Sequence, residues 1–272
     1  MEANQKMNEA YGSEVWQKFW FKAESERAEW SEAESSIRGI CRILAEHGIT
    51  AGKVLDLCCG TGRLSTWLAK KGFTMVGLDI SRLYLKDAEK RALGQGVESK
   101  VKFFIGDMRN VDEVVGLESP FDCVLNFRNS HGFWGDKADE MIFTKVRRIT
   151  KKGGLLIIGE SDHLGQLMLN FDKTRIYESE NAMMVSEASM DYISNMFTAI
   201  FKYYTKEGNV LKYNGSFNLQ TRIYSVSELS SLLKRAGWKV TKAYERIEDL
   251  QPFTHRAIFK GATSMTVVAK AI

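Results

Sequence analysis

With 272 residues, 44% of them hydrophobic, 26% charged and only 2 prolines, the chain has the balance of a globular protein of one large or two modest domains. A net charge of +4 is too mild to point to nucleic acid, no apolar run approaches the roughly 18 residues of a membrane span, and the polar N-terminus reads as neither signal nor transit peptide. Four cysteines, two of them adjacent, lack metal-ligand or disulfide spacing, so a reduced cytoplasmic protein with no metal site is expected.

Residues 1–50 read as a helical segment. Aromatics recur at Tyr11, Trp16, Phe19, Trp20 and Trp30, and Ile37, Ile40, Cys41 and Leu44 follow the spacing of an amphipathic helix closed by Gly48. From Lys53 short apolar runs alternate with helical stretches. Strands are expected at Val54 to Cys58, Thr74 to Asp79, Val101 to Ile105, Phe121 to Asn126 and Gly154 to Glu160, with helices between them. This alternation predicts a Rossmann-like, doubly wound, seven-stranded α/β sheet with helices on both faces. Residues 161–225 break the rhythm. Ile193, Asn195, Phe197, Ala199, Phe201 and Tyr203 alternate toward the turn Glu207-Gly208-Asn209, and Leu211, Tyr213, Gly215, Phe217, Leu219 and Ile223 alternate after it. Period-2 alternation around a glycine turn predicts an antiparallel hairpin insertion with one wet face. The α/β pattern resumes over 226–272. The expected organisation is therefore an N-terminal helical lid (1–50), an α/β core (51–160 and 226–272) and an inserted antiparallel segment (161–225).

The informative stretch is Val54-Leu55-Asp56-Leu57-Cys58-Cys59-Gly60-Thr61-Gly62-Arg63, a strand entering a glycine turn from which a helix leaves. Such a turn lets a ligand touch backbone N–H groups. Two readings compete. A dinucleotide site wants G-x-G-x-x-G, but Cys58 and Ser65 hold the outer glycine positions, and the Asp56 carboxylate would repel a pyrophosphate while suiting a ligand with an ammonium group. Asp79 ends the next strand 23 residues later, where a carboxylate can accept both hydroxyls of a ribose.

Asp56 through Gly62 resembles the first motif of the class I S-adenosylmethionine-dependent methyltransferases, in the subgroup in which cysteine replaces the first glycine. Gly77-Leu78-Asp79, Gly106-Asp107-Met108, the strand Phe121 to Asn126 and Lys151-Lys152-Gly153-Gly154 fall in register with the family's later motifs. The resemblance runs over about 37–160 and 226–272 and leaves the hairpin unexplained. It implies S-adenosyl-L-methionine as cofactor. Asp56, Cys58, Gly60, Thr61, Gly62, Asp79 and Ile80 would hold its amino-acid and ribose ends, Asp107 and Met108 its adenine, and Asn126 and Phe127 would face the transferred methyl. Tyr11, Phe19 and Trp20 would cover it from the N-terminal lid.

Small-molecule members often carry an aromatic-rich segment after the fourth strand. Here it reads Asn126-Phe127-Arg128-Asn129-Ser130-His131-Gly132-Phe133-Trp134. The resemblance therefore implies methyl transfer to N or O of a small-molecule acceptor, with Arg128, Asn129, Phe133, Trp134, Arg222 and Tyr224 as candidate substrate residues. His131 is the candidate general base, against the plainer reading of a loop-packing residue. The insertion would cover the substrate pocket or form a homodimer contact. An RNA or protein methyltransferase and a nicotinamide-dependent oxidoreductase are the alternatives. The first lacks a base-methylation signature and a basic stripe, the second a complete glycine motif.

Overall fold

The computed structural model of the chain describes residues 30–169, 171–178, 180–253 and 264–272. Helix α1 (Trp30–Glu46) buries Ile37, Ile40 and Leu44 as its periodicity predicts, with Ile43 fully buried and Cys41 only partly so, and Gly48 beyond it adopts the left-handed conformation at φ 74°. Strands β1 (Lys53–Leu57), β2 (Thr74–Asp79), β3 (Val101–Ile105), β4 (Phe121–Phe127) and β5 (Thr150–Ser161) then alternate with helices α2 (Arg63–Lys70), α3 (Arg82–Gly94), α4 (Val111–Val115) and α5 (Asp136–Arg148). These five strands pair in parallel in the order 3-2-1-4-5. Val54, Leu55 and Leu57 of β1 are fully buried, because the sheet is covered on both faces. One face packs against α1 and α2, the other against α4, α5 and, after the insertion, α7 (Val226–Arg235). Ser225 and Glu228 close a capping box at the start of α7.

The chain ends in β10 (Trp238–Arg246), the two-residue β11 (Gln251–Pro252) and β12 (Met265–Ala271). Strand β12 inserts antiparallel between β5 and β10. Among the described residues the sheet therefore has eight strands rather than seven, the extra one being β11 at the edge. Its short length, between two non-periodic stretches, left no signal. The Lys151-Lys152-Gly153-Gly154 turn is likewise absorbed into β5 as a bulge, since the pairing jumps from Phe121↔Thr150 to Cys123↔Leu155.

The insertion is larger than a hairpin. After α6 (Leu164–Leu169) it forms a four-stranded antiparallel sheet of β6 (Thr174–Glu178), β7 (Ala182–Asp191), β8 (Met196–Glu207) and β9 (Val210–Arg222), in that order. Ala199, Phe201, Tyr203 and Phe217 share the buried face, as alternation predicts. Leu211 and Tyr213 do not: the register shifts between Tyr203↔Gly215 and Tyr204↔Tyr213, which puts Leu211 and Tyr213 on the face opposite Phe217, where they are exposed. Ile193 lies before β8 in a turn and is fully exposed.

In the parallel part, the chain moves outward from β1 through β2 to β3 and then returns to β4 on the other side of β1. The crevice beyond the carboxyl ends of β1 and β4 is the switch point at which such sheets bind ligands.

Candidate active site

Strand β1 delivers Asp56 to that crevice, 2% exposed, where its Oδ2 accepts a 2.7 Å hydrogen bond from the Ser65 hydroxyl of α2. Burial, with the nearby Asp79 charge adding to it, pushes the Asp56 carboxyl up to about 6 against the opposing Ser65 bonds. The turn that follows needs three left-handed residues, Cys58 (φ 63°), Gly60 (φ 55°) and Gly62 (φ 67°). Glycine is free to take this conformation; Cys58 takes it at a steric cost. A side chain at Gly62 would also lie 2.7 Å from Ala88 Cβ and 2.9 Å from the Phe103 ring. The turn is held by Cys59 N–H to Leu78 O (3.0 Å) and Gly62 N–H to Cys59 O (3.0 Å).

Asp79, at the end of β2, accepts from Gly60 N–H on Oδ2 and from Ser81 N–H on Oδ1, each at 2.8 Å. It thereby ties the glycine turn to the start of α3, whose N-cap is Ser81 and not Asp79. Burial raises its carboxyl despite these bonds. Asp107, after β3, behaves oppositely. Partial burial pushes it up, but the Arg109 guanidinium and N–H outweigh that and hold it below the usual carboxylate range. Burial pushes the thiols of Cys58 and Cys59 far up, so neither is an activated nucleophile.

These groups open onto one cavity of about 400 Å³. Its β1–β3 side carries Asp56, Cys58, Gly60, Thr61, Asp79 and Ile80, with Asp107 and Met108 beyond them. Its β4 side carries Phe127, Arg128, Asn129, Phe133 and Trp134. Phe217 and Leu219 of β9 also line it, so the antiparallel sheet forms part of the wall. Sequence reasoning missed these two, together with Arg63, Tyr84, Arg109 and Ser130. Alternation along β9 marked Phe217 and Leu219 as one face but carried no information on what that face meets. Tyr11, Phe19 and Trp20 lie outside the described residues.

Gly62 lies in the turn behind the wall. Asn126 is fully buried: its Nδ2 donates to Ser130 O (3.0 Å), and its Oδ1 lies 3.2 Å from His131 Nδ1. It braces the loop from within. His131 sits off the cavity wall, its ring stacked on Tyr224 with 6.0 Å between centroids. Burial lowers it to about 4. Arg222 points away from the cavity to Asp136 (3.1 Å) and Glu228 (2.6 Å), over the face of Tyr224. Tyr224 is buried and donates to Asp139 at 2.8 Å. The reading of Arg222 and Tyr224 as cavity residues is thus corrected: β9 carries alternate residues to opposite sides, and Phe217 and Leu219 take the cavity side. Around the cavity several polar side chains are occupied with one another. Asn129 exchanges two hydrogen bonds with Asp162 (2.8 and 2.7 Å), and Arg109 pairs with Asp107 while lying over the Trp134 ring. Among the described residues no group of His, Cys, Asp and Glu has metal-binding geometry, and no helix is long and apolar enough to cross a membrane.

The family model described as a methyltransferase domain matches residues 54–154, from β1 into β5. The chain is 27% identical over 223 residues to YqeM of Bacillus subtilis (strain 168), provisionally named a methyltransferase, spanning 80% of this chain and 87% of that one. Among solved structures it resembles an S-adenosylmethionine-dependent methyltransferase from Clostridium acetobutylicum ATCC 824 (TM-score 0.73, 16% identity, 94% and 96% of the two chains). It also resembles CalS10, an amino pentose methyltransferase from Micromonospora echinaspora solved with S-adenosylmethionine bound (TM-score 0.66, 18% identity, 92% and 95%). The motif-bearing strands and these likenesses converge: residues 54–154 match a methyltransferase domain, set in a fold shared with S-adenosylmethionine-dependent methyltransferases.

Proposed function

We propose that the protein transfers a methyl group by in-line displacement to an uncharged amine, or failing that a hydroxyl, of a small molecule enclosed between the loop after β4 and the antiparallel sheet. The residues present fit the cofactor. Asp56 suits its ammonium group, and Asp79, whose two oxygens are already aligned by Gly60 and Ser81, suits two ribose hydroxyls. Gly62, where a Cβ would strike Ala88 and Phe103, lets the turn that shapes this end of the cavity pack against α3 and β3. When bound, S-adenosylmethionine supplies an electrophilic methyl on a sulfonium. The chain's own task is then to hold the acceptor in line and to exclude water. The aromatic faces of Phe133 and Trp134 suit both a cationic neighbour and an apolar enclosure.

The carrying observation is the distribution of charge. The carboxylates that line the cavity, Asp56, Asp79 and Asp107, all sit at the cofactor end, while the described wall beyond Phe127 holds no carboxylate and no histidine. Without a base beside the nucleophile, an amine that arrives neutral is the acceptor best served. The fold shared with an amino pentose methyltransferase agrees with that chemistry. With Phe217 and Leu219 facing inward, we take the inserted sheet as a cover rather than a homodimer contact. The test is incubation with methyl-labelled S-adenosylmethionine and a metabolite extract, followed by fractionation of the label. Label in small amines supports the reading. Equal label in tRNA, rRNA, DNA or protein overturns it.

A further inference from the structure

We propose that Asp139 is a positioning residue for methyl transfer: from behind the cavity, its carboxyl fixes the loop carrying Phe133 and Trp134 against the strand carrying Phe217 and Leu219. The proposal rests on the methyltransferase reading of the cavity.

Asp139 lies in the first turn of α5 and is fully buried. Its Oδ2 accepts two hydrogen bonds at 2.8 Å, one from Gly132 N–H in the β4 loop and one from the Tyr224 hydroxyl just past β9. The same two segments are joined directly. Arg222 N–H donates to Gly132 O at 2.8 Å, and the Thr221 hydroxyl donates to His131 O at 3.2 Å. Gly132 permits this approach because it has no side chain. A Cβ there would stand 2.3 Å from Arg222 O, and its φ of 85° is one that other residues rarely adopt. The loop residue immediately before the two aromatic wall residues is thus gripped from both sides, and Asp139 holds both segments through one oxygen.

Its second oxygen, Oδ1, is buried with no hydrogen-bond partner. A purely structural site is served as well by an apolar side chain of similar size, which leaves nothing unsatisfied. Retaining a carboxyl here makes sense as a clamp on the Gly132 amide. The charged and titratable groups around it are Asp136 on its own helix, His131 in the loop, and Arg222 and Tyr224 from the cover.

The test follows the Gly132 amide proton by NMR in the ligand-free full chain between pH 5 and 8. In the wild type the resonance should move in one step, because burial raises the Asp139 carboxyl to about 7. His131, lowered to about 4, lies outside this window. Asp139→Asn keeps an acceptor in place, so it should abolish the step while leaving the amide protected from exchange. Asp139→Leu should expose that amide, shift the fluorotryptophan resonance of Trp134 and weaken S-adenosylhomocysteine binding about tenfold, whereas Asp139→Asn should stay within about threefold. This rescue by the isosteric amide separates positioning from mere bulk. A Gly132 amide with no titration step, or a step that persists in Asp139→Asn, overturns the proposal. So does an Asp139→Leu protein with unchanged Trp134 resonance and affinity. Should Asp139→Leu fail to fold, Tyr224→Phe takes its place, and an unmoved Gly132 amide in that variant counts against the clamp. A wild-type chain that binds no S-adenosylhomocysteine defeats the reading of the cavity instead, and the amide titration still decides the clamp.

Discussion

Asp79 divides its two oxygens between the Gly60 and Ser81 amides, so one side chain both shapes the glycine turn and presents charge to the cavity. Asp79→Asn keeps the shape but removes the charge and one of the two acceptors. Hydrogen bonds to a charged group are worth roughly 1.5–3 kcal/mol, so S-adenosylhomocysteine affinity measured by calorimetry should fall at least tenfold. An affinity within twofold of wild type would confine Asp79 to the turn. His131 leads to a contrasting expectation. Its ring lies off the cavity wall, burial lowers it to about 4, and its Nδ1 is engaged by Asn126 Oδ1. His131→Ala should therefore keep methyl transfer within about tenfold of wild type and retain the same pH profile, since a general base would contribute roughly 10²–10⁴-fold. The same change should lower the melting temperature, because it opens a void and leaves Asn126 Oδ1 unpaired. A hundredfold loss of rate with unchanged stability would restore His131 as the base.

Helix α1 reaches the sheet only because Gly39 lies on its packed face. A Cβ at that position would stand 1.9 Å from the backbone oxygen of Ile247, beyond what any side-chain adjustment can relieve. Gly39→Ala gains helix propensity of roughly 1 kcal/mol, yet the backbone clash should outweigh it and lower the melting temperature; a stabilised variant would mean that α1 docks differently. The helix itself was legible, because Ile37, Ile40 and Leu44 repeat at helical spacing, whereas the close approach at Gly39 was not, since it depends on a contact 208 residues away in sequence. The same division holds elsewhere. The apolar runs of β1, β2 and β4 and the glycine turn after β1 are local patterns and read correctly. The bulges in β5 and β9 are set by partner strands, so the sequence left Lys151 to Gly154 as a turn and Leu211 and Tyr213 on the buried face. Strands β6 and β7 were missed because their exposed residues interleave polar and apolar types on both sides of the sheet. In the cavity the turn and strand-end residues were legible from motif register. The wall contributed by Phe217 and Leu219 depends on where the inserted sheet settles, which no local pattern records.

For the whole molecule, the buried carboxyls set how stability responds to pH. Burial first, with the Asp79 charge adding, raises Asp56 to about 6, and burial raises Asp139 to about 7. A carboxyl raised in the folded state stabilises it fully below the unfolded value near 3.9, and that contribution is lost as pH rises through the folded value. Asp56 and Asp139 therefore each favour the folded chain as pH falls, by on the order of 2–4 kcal/mol below the unfolded value relative to alkaline pH and by part of that at mildly acid pH. Asp79 and Asp162, raised by burial in the same direction, add to the trend. Asp107 and Glu228 oppose it. Although burial pushes both up, their Arg109 and Ser225 partners respectively hold them below the usual range, so their contribution is lost only as pH falls below about 4. The melting temperature of the ligand-free protein should consequently rise as pH falls from 8 to 5, then drop in stronger acid. Asp139→Asn removes a carboxyl raised to about 7 and should flatten the slope between pH 6 and 8 while sparing the acid drop. On the proposed role of Asp56 beside the cofactor's ammonium, saturating S-adenosylmethionine should favour its ionised form, take up part of the remaining slope and bind more weakly below pH 6. Calorimetric scans from pH 4 to 8, with and without ligand, measure all three effects. A melting temperature that climbs steadily toward pH 8, or a slope that Asp139→Asn leaves untouched, would show that these carboxyls are ionised and satisfied in the folded chain.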